Sequence, residues 1–399
     1  MRQQVLARSD TPDSFYSLEC SVQPLADGLI GARDRLAADL ESLVDPLRRL
    51  ADLLRDQLAD QADTLDTAAR GRLEAIVRGL NRRARILIPA WQHMLASLEN
   101  GPDSDLYDWF AIDRIDGQEF DVGMRRHWID PTIPFAESVL IQAHGVAVTS
   151  ATLRDRLVAD GADEIAAEDA GWESAELRTG AQHLVQPAQR SFFPSPFNYA
   201  EQARILVVRD VDRSDRGAIA AAYRHLFEAA GGGGLGIFTS VQQLRAVHAR
   251  IAEPLSEQGI ALFAQHVDPI DTGTLVDVFR ADEHACLLGT DAVRDGIDVP
   301  GASLRLIVFD RTPWPRPDLL HKVRRQHFGP RRYDDMLTRF RLQQAFGRLI
   351  RSAQDRGVFV ILDSRLPTRL TTAFPDGVAV ERVGLADAIA AVRDFLPRS

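Results

Sequence analysis

The chain has 399 residues, of which 45% are hydrophobic and 26% charged, and its formal net charge is −10. This length predicts two or three domains with enough apolar residues for their cores, and the negative charge argues against a generally basic nucleic-acid-binding protein. The sequence has no apolar run of about 18 residues and no apolar N-terminal leader, so it predicts neither a membrane span nor a secretory signal.

The two cysteines, Cys20 and Cys286, lie far apart in the sequence. This usage is typical of a reducing compartment without disulfide bonds, so we expect a cytoplasmic protein. An iron–sulfur cluster usually needs four cysteine ligands, so we expect none to be held by this chain.

Leucines recur every three or four residues between positions 25 and 60 and predict a long helix or a pair of helices. Asp45-Pro46 interrupts the pattern, so we expect a kink or a second helix start there. A second apolar stripe, from position 73 to 98, predicts a further helix. We interpret residues 1–130 as a mostly helical arm packed on itself, with an oligomerising coiled coil as the alternative.

The next part of the sequence changes character several times. Residues 106–129 consist of two alternating stretches around Asp116-Gly117, a strong signal for a hairpin. Residues 135–142 are predicted to be helical, and 145–150 has the composition of a buried strand that ends in hydroxyl side chains. The segment 160–200 is acidic and then contains several prolines, so we interpret it as a connection between domains.

From residue 201 to the end, apolar strand cores alternate with helical patterns. This alternation predicts an α/β domain with a parallel sheet and helices on both faces. The expected strand cores lie at 205–208, 235–238, 260–263, 286–288, 305–309 and 358–362.

One stretch in this domain, residues 339–357, carries an apolar stripe typical of a helix. The stripe consists of Phe340, Leu342, Ala345, Phe346, Leu349 and Ile350. Arg348 and Arg351 are three residues apart, which would place both on one face of that helix. Two such guanidinium groups suit a phosphate because each fork is planar and always charged. For the arginines alone, a solvated basic face on an ordinary helix is the alternative.

Four short motifs occur in order along the sequence. They are Val148-Thr149-Ser150-Ala151-Thr152-Leu153, Gly236-Ile237-Phe238-Thr239-Ser240, Leu287-Leu288-Gly289-Thr290-Asp291 with Asp295-Gly296-Ile297-Asp298 behind it, and Gln344-Ala345-Phe346-Gly347-Arg348-Leu349-Ile350-Arg351. In this order they resemble motifs III, IV, V and VI of the XPD/DinG-type superfamily 2 ATP-dependent DNA helicases. One departure is Val293-Arg294-Asp295, where many members of that family have Phe-Trp-Glu.

The resemblance covers about residues 105–399 and implies a division into three parts. Residues 1–130 would be an arch-like helical insert, 131–200 the tail of the first helicase domain, and 201–399 the RecA-like second helicase domain. The implied function is that of the C-terminal portion of a DinG-like DNA helicase.

The resemblance also implies roles for individual residues. The catalytic pair would be Arg351, as the arginine finger, and Arg348, as a supporting phosphate contact. Nucleotide binding would involve Gln344, Gly347, Asp295 and Asp298. Contacts with single-stranded DNA would come from Thr239, Ser240, Thr290, Lys322, Arg324 and Arg325. Coupling between nucleotide and DNA would involve Thr149, Ser150 and Thr152.

The sequence lacks the residues that hold ATP in such helicases. Its only lysine, Lys322, is not preceded by the glycines of a Walker A loop. Asp282-Glu283-His284-Ala285 resembles a Walker B box, but no apolar strand leads into it, and we interpret it as an exposed turn. ATP and magnesium would therefore be held mainly by a separate Walker A-containing domain, and we expect no ATP hydrolysis by this chain alone and no metal site within it.

Charge distribution supports a polyanionic partner. Residues 301–351 hold twelve Lys/Arg and four Asp/Glu, a local charge of +8 in an acidic chain. Such a stretch can steer a polyanion, here single-stranded DNA. The alternative, from a different class, is a non-catalytic nucleic-acid-binding or regulatory module that retains the helicase fold.

Overall fold

The computed structural model describes residues 1–61, 63–115, 117–156, 164–291, 293, 299 and 301–396. These residues form two compact units. The first consists of Met1–Pro131 with Arg316–Phe328, and the second of Thr132–Pro315 with Gly329–Ser399. The second unit thus includes residues 132–200, which the sequence assigned to a part separate from 201–399. No helix among the described residues is long and apolar enough to cross a membrane.

The elements are numbered in chain order. The strands are β1 Leu18–Ser21, β2 Leu106–Ile115, β3 Gln118–Trp128, β4 Ala203–Val208, β5 Gly234–Ile237, β6 Leu262–Ala264, β7 Cys286–Gly289, β8 Leu306–Phe309, β9 Gly357–Ile361 and β10 Val380–Val383. The α-helices are α1 Arg2–Leu6, α2 Leu29–Asp60, α3 Thr67–Arg82, α4 Ile88–Asn100, α5 Thr132–Phe135, α6 Glu164–Thr179, α7 Tyr199–Gln202, α8 Arg216–Ala230, α9 Val241–Glu257, α10 Thr272–Ala281, α11 Leu319–Phe328, α12 Pro330–Phe346 and α13 Leu385–Phe395. Single π-helical turns lie at Arg83–Leu87 and Ala136–Leu140, and 3-10 turns at Ala181–His183, Gly301–Ser303 and Thr368–Ala373.

The first unit packs helices against a small antiparallel sheet of order β1-β2-β3. β2 and β3 form the predicted hairpin, and α2 packs against α3 and α4. α2 runs without interruption through Pro46, so the predicted second helix start is wrong. The physical reason is that the buried face of the helix, with Leu40 and Val44 before the proline and Ala51 after it, continues on both sides. Its burial outweighs the loss of one backbone hydrogen bond.

The second unit is built on a seven-stranded sheet of order β10-β4-β9-β8-β5-β7-β6. All its strand pairs are parallel, which confirms the predicted α/β, RecA-like fold. Side chains of α10 and α12 share a core with one face, and those of α8, α9 and α13 with the other. Strands buried on both faces read as continuous apolar runs, which is why six of them could be located in the sequence. The sequence missed β10, an edge strand whose residues are only half-buried.

The segment 145–150 departs from its prediction. It has no regular secondary structure and its residues are exposed, so the predicted buried strand is wrong. Apolar β-branched residues favour a strand only where a neighbouring strand completes the hydrogen bonds. No described strand pairs with these residues.

Candidate functional site

The carboxyl ends of the parallel strands gather the residues of two predicted motifs at one edge of the sheet. Thr239 and Ser240 come directly after Phe238 at the end of β5, and Thr290 directly after β7, which is the neighbour of β5. In parallel α/β sheets this edge is where ligands bind. The structure therefore brings Thr290 to the same edge as Thr239 and Ser240, which lie fifty positions earlier in the sequence.

Thr290 is held by a residue that sequence reasoning missed. Both its backbone N–H and its Oγ1 donate to Oε1 of Gln265, at 3.0 and 2.9 Å. Gln265 follows β6 and is 6% exposed, and its Nε2 donates to Oγ1 of Thr272 at 3.2 Å. The signal that could have found Gln265 is its position, because it is a polar residue directly after an apolar strand.

Thr239 is held from the other side by Asp310, which follows β8. The backbone N–H and Oγ1 of Thr239 donate to the Asp310 carboxylate at 3.2 and 3.4 Å, and Nε of Arg311 donates to the same carboxylate at 3.1 Å. Asp310 is fully buried, and this burial raises its pKa to about 6. Ser240 caps α9, since its Oγ accepts from the backbone N–H of Gln243 at 3.4 Å.

The two predicted catalytic arginines follow α12 and do not lie on it. The helix ends at Phe346, and residues 347–349 form a turn, so the prediction that Arg348 and Arg351 share a helical face is wrong. Within the predicted apolar stripe, Leu349 and Ile350 are buried as expected, although they lie beyond the helix. Gly357 explains part of this turn, because any side chain there would collide with Leu349.

A carboxylate holds the Arg351 backbone in place. Asp355 accepts from the backbone N–H groups of Arg351 and Ser352, at 2.7 and 2.8 Å. Nε2 of Gln202, directly before β4, donates to the carbonyl groups of Ser352 and Asp355 at 2.9 and 3.0 Å. The arginine turn (residues 347–355) therefore lies at the amino ends of β4 and β9. It lies at the edge of the sheet opposite to Thr239 and Thr290, with Gln344 half-buried at the end of α12.

The hydroxyl residues near position 150 lie just before a residue that is paired with α12. Thr149 and Ser150 are exposed, and Oγ of Ser150 accepts from the backbone N–H of Thr152 at 3.2 Å. Three residues further on, the buried Asp155 accepts hydrogen bonds from Nε and Nη2 of Arg339 on α12, at 2.9 and 2.7 Å. A buried bidentate pair of this kind fixes two segments in one geometry.

The remaining predicted residues lie elsewhere. Lys322, Arg324 and Arg325 are on α11, in the first unit. Nε and Nη2 of Arg324 donate to the carbonyl groups of Ile129 and Trp128 at 3.0 Å each, so these two donors are committed to the backbone. Asp295 and Asp298 lie outside the described residues. Within the described part of the chain, no group of three or more acidic, histidine or cysteine side chains could hold a metal ion.

A comparison with known proteins covers the region that contains Thr239, Thr290 and the arginine turn. Residues 223–380 match a family described as the helicase C-terminal domain. This region is a helicase C-terminal domain of the XPD/DinG type. It includes the predicted motifs IV, V and VI, and therefore Thr239, Thr290 and the arginine turn.

Several relatives share this helicase domain. An ATP-dependent helicase DinG of Mycobacterium tuberculosis is 36% identical over 186 residues, which are 44% of this chain and 27% of the relative. A protein named 3'-5' exonuclease DinG of Bacillus subtilis is 26% identical over 354 residues, 82% of this chain and 35% of the relative. A solved structure titled XPD helicase matches 95% of this chain and 67% of its own, with 14% identity and a TM-score of 0.47. The chain thus spans about a quarter to a third of the curated relatives it matches.

Proposed function

We propose that this chain supplies the second motor domain of a DinG-like, ATP-driven DNA helicase. In such a motor one domain holds the nucleotide, and the other completes the catalytic site and grips the nucleic acid. The observation that carries the proposal is the separation of two groups, with the residues predicted to contact DNA at the carboxyl edge and the predicted catalytic arginines at the amino edge. A domain with one function at each edge can link ATP turnover to movement on a strand.

The DNA side of the proposal rests on Thr239, Ser240 and Thr290. In this structure the backbone N–H and hydroxyl groups of Thr239 and Thr290 donate to Asp310 and Gln265, so contact with a phosphate requires these donors to exchange partners at the edge where α/β sheets bind ligands. Gln265 and Asp310 orient Thr290 and Thr239 from opposite sides. We therefore assign the contacts to the phosphates of single-stranded DNA.

The nucleotide side rests on Arg351 and Arg348, with Gln344 and Gly347 beside them. Guanidinium groups fit the γ-phosphate of ATP, because their charge is permanent and their fork is planar. ATP bound with magnesium in a Walker A-containing partner domain would supply the energy. In this proposal Arg351 stabilises the charge that develops on the γ-phosphate, and Arg348 supports it.

The coupling residues Thr149, Ser150 and Thr152 precede Asp155, which is paired with Arg339 on the helix that leads to the arginine turn. We propose that a displacement of this segment is transmitted through the buried pair to α12. Asp295 and Asp298 would contribute to the same coupling.

The proposal is tested by fluorescence anisotropy with a labelled single-stranded oligothymidylate. We expect binding at low salt that weakens steeply as salt rises, with the logarithmic slope changing by about 0.7 for each phosphate contact. Thr290→Ala should weaken binding severalfold, whereas Ser256→Ala, which removes an exposed hydroxyl at the far end of α9, should not.

A parallel measurement of phosphate release tests the catalytic part. The chain alone should release no more phosphate from ATP than a mock purification. Binding that is absent at low salt, or indifferent to salt, would contradict the DNA assignment. Turnover by the chain alone would contradict the requirement for a Walker A partner.

A further inference from the structure

Three aspartates connect the loops at the carboxyl edge of the parallel sheet. Asp310, after β8, binds the backbone of Thr239 after β5. Asp363, after β9, accepts from the backbone N–H and Oγ1 of Thr312 after β8, at 3.0 and 2.6 Å. Asp210, after β4, accepts from the backbone N–H of Leu385 after β10, at 2.8 Å. Each aspartate thus holds the loop that follows a neighbouring strand.

Arginines lie within three residues of these aspartates in the sequence, and three of the arginines line one cleft. Arg209 and Arg213 follow β4, Arg365 follows β9, and all three are exposed. Together with Asp210, Asp212, Asp363 and neighbouring uncharged residues they surround an open cleft of about 310 Å³, which we call the basic cleft after its arginines. Among the described residues, none of the three guanidinium groups has a hydrogen-bond or ion-pair partner.

The carboxylates in the basic cleft are already committed. Asp363 binds Thr312 and the backbone N–H of Arg365, and Asp210 binds Leu385. Asp212 accepts from the backbone N–H and Oγ of Ser214, at 2.8 and 2.7 Å, and these bonds lower its pKa more than the nearby Arg213 does. These bonds come from neutral donors and leave the three aspartates charged, so the lining has three positive and three negative side chains. The planar forks of the arginines nevertheless keep their donors available for an incoming anion.

The basic cleft continues the edge that carries the DNA-contacting residues. In the sheet order, β7, β5, β8, β9 and β4 are consecutive neighbours. In that order, these strands are followed by Thr290, Thr239, Arg311, Arg365 and Arg209. Neighbouring strands are about 4.8 Å apart, so the row crosses roughly 20 Å of the edge.

We propose that the basic cleft is a second polyanion subsite, in which Arg209, Arg213 and Arg365 bind phosphates of the strand whose neighbouring phosphates contact Thr239 and Thr290. The inference rests on the proposed function, which assigns single-stranded DNA to this edge. It adds a subsite two strands away from the predicted motifs, in which the contacts come from charged guanidinium groups and not from neutral donors. Phosphate contacts of this kind increase affinity without reading sequence.

The test compares two triple variants of the whole chain in the same anisotropy assay. The first is Arg209→Ala, Arg213→Ala and Arg365→Ala. The matched control is Arg204→Ala, Arg356→Ala and Arg393→Ala, which removes the same charge from residues at the starts of β4 and β9 and at the end of α13. Circular dichroism verifies that both variants fold.

We expect the first variant to lose roughly tenfold or more in affinity at low salt, and its logarithmic salt slope to become shallower by about 0.7 for each lost contact. The control should lose much less. Equal losses in both variants would mean a general charge effect and would overturn the proposal, as would an unchanged slope in the first variant.

The outcome also separates this inference from the function on which it rests. If the parent chain binds the oligonucleotide, Thr290→Ala weakens binding and the cleft variant does not, only the inference fails. If the parent chain does not bind, the DNA assignment fails and the subsite fails with it. If the cleft variant does not fold, the single variant Arg365→Ala decides, because its backbone bond to Asp363 is kept.

Discussion

The two edges of the parallel sheet are built differently. At the carboxyl edge, single polar residues follow successive strands and are held by side chains from the neighbouring strand, as Thr239 is by Asp310 and Thr312 by Asp363. At the amino edge, the arginines lie in one continuous turn between α12 and β9, and Asp355 within the same turn holds its backbone. The carboxyl edge is held by contacts between loops of neighbouring strands, whereas the arginine turn combines the local contact of Asp355 with one distant contact from Gln202.

This difference suits the two proposed tasks. A groove for a strand of phosphates must keep several donors in register, and buried acceptors from neighbouring strands do so rigidly. An arginine that completes a catalytic site in another domain must reach outward, and an exposed turn allows its side chain to do so. The comparison predicts that substitutions at the two edges will affect different measurements.

The largest expected effect is on catalysis, at the amino edge. In a chain that joins this one to a Walker A-containing helicase domain, Arg351→Ala should lower ATP turnover on the order of 10³-fold or more, with a much smaller change in nucleotide affinity. The reason is that the finger acts chiefly on charge that appears in the transition state. Steady-state ATPase kinetics beside nucleotide binding measure both, with Arg393→Ala as a matched control. Turnover within about threefold of the parent would remove Arg351 from the catalytic role.

The next effect concerns stability and compares the two edges directly. Asp363→Ala should lower the free energy of unfolding by about 3 kcal/mol, because the buried donors of Thr312 lose their acceptor. Asp355→Ala should cost only about 1 kcal/mol, because water can reach the half-buried turn and replace the lost acceptor. Urea denaturation followed by circular dichroism measures both variants. Equal losses would contradict the claim that the buried contact between strands at the carboxyl edge stabilises the fold more than the local contact of Asp355 at the amino edge.

A third prediction uses the raised pKa of Asp310. Its folded-state pKa is about 6, above that of an unfolded aspartate, so ionisation of Asp310 costs stability. The contribution of Asp310 to the free energy of unfolding should therefore be most favourable below about pH 4 and decrease as the pH rises through 6. Asp310→Asn cannot ionise, so its free energy of unfolding relative to the parent should increase by about 1–3 kcal/mol over this window. A difference between the two proteins that does not change with pH would contradict this account.

The smallest effect is at His266, directly after Gln265 at the carboxyl edge. Its φ of 66° lies in the left-handed region, which is strained for residues other than glycine. His266→Gly should leave the free energy of unfolding within about 0.5 kcal/mol of the parent, because relief of strain offsets the extra entropy of the unfolded chain. His266→Val should cost roughly 1–2 kcal/mol, because a β-branched residue is disfavoured there. Similar stabilities for the two variants would show that the turn can relax.

Features that depend on residues close together in the sequence could be predicted, and features that depend on contacts between distant residues could not. The strands of the sheet were predictable because burial on both faces leaves long apolar runs such as 305–309. The end of α12 could not be predicted, because the apolar spacing continues through Leu349 and Ile350, beyond the point where the helix ends and the backbone turns. The sequence pattern shows which residues are buried, and it does not show whether a helix or a turn buries them. Gln265 and Asp310 were missed because their role depends on loops brought beside them by strand order.

The sequence by itself determined the α/β class, the apolar positions and the motifs that mark a helicase C-terminal domain, because these depend on residue type and local spacing. The tertiary structure alone decided that Thr239 and Thr290 share one edge and that the arginine turn lies at the other. It also decided that Arg209, Arg213 and Arg365 meet in one cleft. The physical reason is that parallel strands in a non-sequential order place distant residues side by side, and strand order is set by packing across the whole sheet.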